Sequence, residues 1–215
     1  MTDGLCGLLL DFGGVLLATP FERLDHLERR VGLPAGTLAW RGPFAPAADP
    51  LWAELQAGRV DERDYWRRRA AEVGRLLGRE WTLRDLVAEV FTGPGLGVRP
   101  EAEALVGDAR AAGLATAILS NDLELFHGRA WMNRLGLLGR VDALVDGSVT
   151  GVRKPDPASY RLALDALGLD PAAVLFVDDQ PANLAGATRA GLATEPFDVT
   201  DPPGSFHRVR RRLGL

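Results

Sequence analysis

The sequence predicts an α/β fold: a parallel sheet wrapped by helices, interrupted once by a helical insertion. Three observations carry this expectation. Four short apolar runs, at residues 5–10, 115–119, 143–145 and 173–177, have the length and character of buried strands. Between the later runs lie helix-like stretches with start and stop signals. Residues 18–97 lack strand-like runs and show helical periodicity instead. Strand alternating with helix implies a doubly wound, Rossmann-like sheet, in which ligands bind at the carboxyl ends of the strands.

The first run, 5–10, ends in Asp11 and is followed by Phe12-Gly13-Gly14-Val15. It contains the single cysteine, Cys6, read here as a small buried hydrophobe. One cysteine excludes an intrachain disulfide and fits a reducing cytoplasm. In the insertion, Leu24, Leu27, Val31 and Leu33 suggest one amphipathic helix. Leu51 with Leu55, then Tyr65, Trp66, Ala70 and Val73, then Leu83, Leu86, Val87 and Val90 suggest more. Trp40, Trp52, Trp66 and Trp81 all lie in this stretch, either packing its own core or lining a substrate surface. Gly and Pro cluster at 92–100, marking the return. A helix at 101–112 is bracketed by Pro100 and Gly113, and helices at 157–167 and 183–190 read the same way. The expected organisation is an α/β core of residues 1–17 and 98–215 carrying a helical cap of residues 18–97.

Hydrophobic residues make up 47% and charged residues 25%, so the chain folds rather than remaining disordered. A net charge of −4 gives no reason to expect nucleic acid or an anionic membrane as partner. The Arg-rich stretch 208–212 is the local exception, read as the solvated face of a last helix. No apolar stretch approaches the ~18 residues of a membrane span. The N-terminus lacks a basic region, so no signal peptide and a cytoplasmic location are expected. Oligomeric state is not legible.

Polar residues at the strand ends carry the chemistry. Asp11, before two glycines, can sit in an open turn where a substrate approaches the backbone; such an Asp also serves ordinary turns. Carboxylates form acyl-phosphates in known chemistry. Asp178 and Asp179 are adjacent acids whose repulsion needs an offset. A hard cation such as Mg²⁺ would supply it; capping the next helix is the other reading. Lys154 stands in Arg153-Lys154-Pro155-Asp156-Pro157, where proline excludes a regular helix. It either balances nearby carboxylates and holds a phosphate or is simply solvated. Ser120 and Asn121 end the second core strand and either bind a phosphoryl oxygen or cap the following helix.

Taken together, Asp, then Ser-Asn, then Lys-Pro, then Asp-Asp resemble the four ordered motifs of the haloacid dehalogenase-like hydrolase superfamily. The resemblance covers about residues 5–17 and 98–198, and the insertion sits where that superfamily carries its type-1 cap. The phrases Asp-Phe-Gly-Gly-Val-Leu, Arg-Lys-Pro-Asp-Pro and Phe-Val-Asp-Asp look like phosphatase-like proteins similar to the N-terminal domain of soluble epoxide hydrolase. The resemblance implies a Mg²⁺-dependent phosphatase acting on a small phosphorylated metabolite. Asp11 would be nucleophile and metal ligand, and Gly13 would lend its backbone carbonyl to the metal. Ser120 and the Asn121 N–H would bind the phosphoryl group. Lys154 would balance charge, and Asp178 and Asp179 would hold Mg²⁺, Asp179 more directly.

One residue departs from the pattern. The phosphatase motif has a second Asp two positions after the nucleophile, where this chain has Gly13. That acid protonates the leaving group, a contribution worth ~10²–10⁴-fold. Asp122, Glu54 and His127 are candidate substitutes. Two rival readings follow: a metal-independent 2-haloacid dehalogenase, which also lacks the second Asp, and a non-catalytic binding protein of the same fold.

Overall fold

The computed structural model describes residues 4–91 and 97–215. Within the Gly- and Pro-rich return at 92–100, residues 92–96 lie outside the described residues. The chain separates into two compact units, Met1–Ala18 with Gly97–Leu215, and Thr19–Leu96. β1 (Gly7–Leu10) opens the first unit. The second holds α1 (Leu24–Val31), α2 (Pro50–Gln56), α3 (Glu62–Leu77) and α4 (Leu83–Val90). The first resumes with α5 (Pro100–Ala111), β2 (Ala115–Ser120), α6 (Leu123–His127), α7 (Arg129–Met132) and β3 (Ala143–Asp146). It continues through α8 (Gly147–Thr150), α9 (Pro157–Leu167), β4 (Val174–Asp178), α10 (Pro181–Arg189), β5 (Ala193–Pro196) and α11 (Pro202–Leu213).

The strands form one parallel sheet in the order β3-β2-β1-β4-β5. β1 is central and buried on both faces, which is why its sequence is uniformly apolar. Leu9, Ala117, Leu119 and Phe176 meet Tyr160, Ala163 and Leu164 of α9 and Ala187 of α10 on one face. Leu8 and Leu10 point to the other face by strand alternation; α5 packs on β2 there, and α11 packs on α5 and β5. This is the expected doubly wound arrangement.

The sheet departs from expectation at its margins. Cys6 is exposed, not buried. Its backbone already pairs with Ala115 and Ala173, but its side chain sits at the exposed amino-terminal edge of the sheet. The fifth strand, Ala193-Thr194-Glu195-Pro196, has no apolar run because it is an edge strand, where polar residues and a proline are tolerated. The arginines of α11 are also more than a solvated face: Arg210 pairs with Asp108 of α5, and Arg212 reaches Glu195 of β5 at 3.3 Å.

The helical unit has its own core. Trp40, Trp52, Tyr65 and Trp66 are all buried within it, and Phe21 lies 5.3 Å from Trp66 and 5.4 Å from Trp52. These aromatics are therefore packing residues of the unit itself. At their centre, the Asp49 carboxylate accepts from the backbone N–H groups of Arg41, Gly42 and Trp52 at 3.0–3.1 Å and from the Arg69 guanidinium. Arg69 in turn lies over the rings of Trp40 and Tyr65, at 5.2 and 5.1 Å. No helix among the described residues is long and apolar enough to cross a membrane.

Candidate active site

The strand order places the chemistry. From β1 the chain goes to β2 and β3 on one side and later to β4 and β5 on the other, so β1 and β4 flank the topological switch point. Asp11 follows β1, Asp178 ends β4, and Asp179 is next. The Asp11 N–H bonds to the Val177 carbonyl at 2.9 Å, locking these two strand ends in register.

Lys154 joins the pair. Its ammonium lies 2.7 Å from Asp11 Oδ1 and 2.7 Å from Asp178 Oδ2, and its side chain is 1% exposed. Burial alone would lower the lysine's pKa, but the two carboxylates more than offset this and hold it above its ordinary value. The loop that delivers Lys154 is braced by Asn121. Its amide oxygen accepts from the Lys154 backbone N–H at 2.8 Å, and its Nδ2 donates to the Lys154 carbonyl at 3.2 Å. The Lys154–Pro155 peptide is cis. The Asn121 side chain thus ties motif to motif, while Ser120, at the end of β2, is buried beside it.

Asp178 does cap the following helix, and it also pairs with Lys154. Oδ1 accepts from the Gln180 N–H at 2.7 Å at the start of α10, while Oδ2 meets Lys154. Asn183 donates to both oxygens at 3.1 Å. Asn183 is a buried site residue that sequence reasoning missed; an Asn in a helix's first turn resembles ordinary capping. Tyr160 supports it by donating to the Asn183 carbonyl at 2.7 Å.

Asp179 faces the turn after the nucleophile. Gly14 has φ +79°, and a Cβ there would stand 2.9 Å from the Asp179 carboxyl. Both backbone conformation and space require glycine at 14. Gly13 differs: a Cβ there meets nothing within 4 Å, so the missing acid reflects the residue chosen and not a lack of room.

Asp11, Asp178 and Asp179 each place a carboxylate oxygen within 4.8 Å of the others. Lys154 bonds two of these three carboxylates. An all-oxygen, acid-rich donor set of this kind fits a hard divalent cation such as Mg²⁺.

The candidate acid/base substitutes fare poorly. Glu54, in the helical unit, accepts from Arg59 at 2.7 and 2.8 Å, which holds its carboxyl below the ordinary range. His127 stacks on Trp131 at 4.1 Å and meets Phe12 edge-on at 6.1 Å. Burial pushes it down to about 4, so near neutrality it is uncharged and has no proton to give a leaving group. Asp122 is buried, with Arg153 3.9 Å away.

Comparison with known proteins matches this architecture. Phosphoglycolate phosphatase of Rhodospirillum rubrum is 38% identical over 196 residues, covering 89% of this chain and 73% of that protein. Acyl-CoA dehydrogenase family member 10 of Mus musculus is 27% identical over 97% of this chain, which spans only 19% of that longer protein. The solved L-2-haloacid dehalogenase from Xanthobacter autotrophicus aligns with a TM-score of 0.59 and 26% identity, covering 89% of this chain and 77% of that one. The model of the haloacid dehalogenase-like hydrolases matches residues 8–191, and with the sheet order, the switch-point carboxylates and the buried lysine in place, the chain belongs to that hydrolase family.

Proposed function

We propose that this protein is a Mg²⁺-dependent hydrolase of a small organophosphate, working through an aspartyl-phosphate on Asp11. The observation that carries this reading is the convergence of Asp11, Asp178 and Asp179 around one buried lysine. Asp11, Asp178, Asp179 and the Gly13 carbonyl would hold the cation, which when bound neutralises phosphoryl oxygens. Lys154 orients Asp11, since its ammonium bonds one oxygen of the carboxylate that attacks phosphorus. The Ser120 hydroxyl and Asn121 N–H receive the phosphoryl oxygens. The leaving oxygen departs with the P–O bond pair, and water then cleaves the acyl-phosphate to regenerate Asp11 and release phosphate.

In this reading the helical unit Thr19–Leu96 is the cap domain. With glycine at 13, no carboxylate at that position protonates the leaving group. Substrates with stable leaving groups, such as aryl or acyl phosphates and sugar-1-phosphates, are therefore favoured over alkyl esters. The free cysteine fits a reducing cytoplasm.

A second reading, a 2-haloacid dehalogenase, is favoured by Gly13 and by the likeness to the Xanthobacter enzyme. The acid-rich cluster argues against it. Turnover of p-nitrophenyl phosphate and chloride release from 2-chloropropionate, each with Mg²⁺ and with EDTA, separate the two. The expected result is p-nitrophenol release that EDTA abolishes and Mg²⁺ restores. EDTA-insensitive chloride release without phosphatase turnover would overturn the proposal.

A further inference from the structure

Arg99 begins the return of the chain into the α/β unit, just before α5, and it contacts the turn that follows the nucleophile. Its backbone N–H donates to the Leu16 carbonyl at 2.8 Å. Its neighbour Val98 forms an antiparallel bridge with Leu17, which itself bridges to Gly13. The guanidinium Nη2 donates to the Gly14 carbonyl at 3.2 Å, and the same group lies 6.0 Å from the Phe197 ring centre.

Gly14 is the residue in positive φ whose Cα approaches the Asp179 carboxyl so closely that no side chain fits. The orientation of its peptide therefore fixes how near the nucleophile's turn comes to Asp179. A carbonyl held by a cation cannot rotate freely, and a charge-assisted bond is stronger than the neutral or water-mediated one that would replace it.

We infer that Arg99 is a positioning residue: by gripping the Gly14 carbonyl from the returning chain, it holds the nucleophile's turn against Asp179 and so sets the affinity of the Asp11–Asp178–Asp179 cluster for its divalent cation. This rests on the proposed function for the identity of the cation. The lever is the turn's geometry, through the bond from Arg99 to the Gly14 carbonyl.

The test measures Mg²⁺ binding directly, by the Mg²⁺-dependent rise in melting temperature, alongside p-nitrophenyl phosphate turnover. In Arg99→Gln the half-saturating Mg²⁺ concentration is expected to rise by about tenfold, the equivalent of losing about 1.4 kcal/mol. The metal-free melting temperature should change little, and the loss of turnover at low Mg²⁺ should largely recover at saturating Mg²⁺. Arg99→Lys, which keeps a charged donor but not the fork, should fall between, with a shift of about threefold. Wild-type Mg²⁺ half-saturation in both variants would overturn the inference. So would an Arg99→Gln that melts lower without metal yet binds Mg²⁺ normally, because that is a purely structural role. If Arg99→Gln does not fold, Arg99→Lys decides by the same criterion. If the native protein binds Mg²⁺ but turns nothing over, the proposed function fails while a weakened Mg²⁺ shift in Arg99→Gln still supports the role of Arg99. If the native protein shows no Mg²⁺ shift, both fall.

Discussion

Each unit contains a buried ion pair beside aromatic rings, and the two differ in how their charges close. In the helical unit, Asp49 meets Arg69, and the remaining capacity of the carboxylate is taken up by three backbone N–H groups. In the α/β unit, Lys154 meets Asp11 and Asp178 while Asp179 adds a further carboxylate within 4.8 Å. In the first cluster Glu72 also pairs with Arg69, at 3.0 Å, and the cluster organises a loop and two helices. In the second, three carboxylates gather at the switch point, where sheets of this kind bind ligands. Burial and pairing alone do not mark a site; a cluster of carboxylates at the switch point does.

The sharpest test of that contrast is Asp11→Asn. Mg²⁺-dependent turnover should fall by about 10⁴-fold or more, the scale of removing a nucleophile, with the circular dichroism spectrum unchanged. Unaltered turnover would remove Asp11 from its role. Asp49→Asn should do the reverse. Arg69 keeps Glu72 at 3.0 Å, so losing the Asp49 charge should cost about 1–3 kcal/mol of stability in urea unfolding, while kcat of the folded fraction stays near native. A selective loss of kcat with native stability would make Asp49 part of the site instead.

Gly13→Asp comes next in size. Open space at 13 accommodates the side chain, so hydrolysis of alkyl phosphates should rise by about 10²-fold, the lower end of general acid contributions. Aryl phosphates, which leave without a proton, should gain little. An equal gain for both would assign the effect to something other than protonation.

The smallest effect is on acid stability. Burial alone would raise the Asp49 pKa, but the N–H groups of Gly42, Trp52 and Arg41 and the charge of Arg69 hold it below the ordinary value. Because the folded value lies below the unfolded one, this carboxylate contributes fully above about pH 4. Its contribution is lost as pH falls through the folded value. Stability measured between neutral pH and pH 3 should therefore drop less steeply in Asp49→Asn than in the native chain.

The central strands β1, β2 and β4 were legible as buried apolar runs, and so was β3, an edge strand that keeps the apolar Ala143-Leu144-Val145. β5 escaped because an edge strand is free to be Ala-Thr-Glu-Pro. Asp11, Lys154, Asp178 and Asp179 were legible because four motifs in one order are far more specific than any of them alone. Asn183, Tyr160 and Arg99 were not, since their importance lies in the group each one touches. The side chain of Asn121 was likewise unreadable as the brace of the Lys154 loop. Cys6 was misread because an apolar neighbourhood in sequence does not place a residue inside the sheet.

The order of apolar runs and the residues that end them were enough, by themselves, to determine a parallel sheet with its acids at the carboxyl edge. That follows from strand alternation and the need to bury both faces. Only the tertiary structure decided which acids share one lysine, that Gly14 must be glycine while Gly13 need not be, and that Trp40, Trp52 and Trp66 pack inward. Those facts depend on distances between segments remote in sequence, and local pattern carries no information about such distances until the chain has folded.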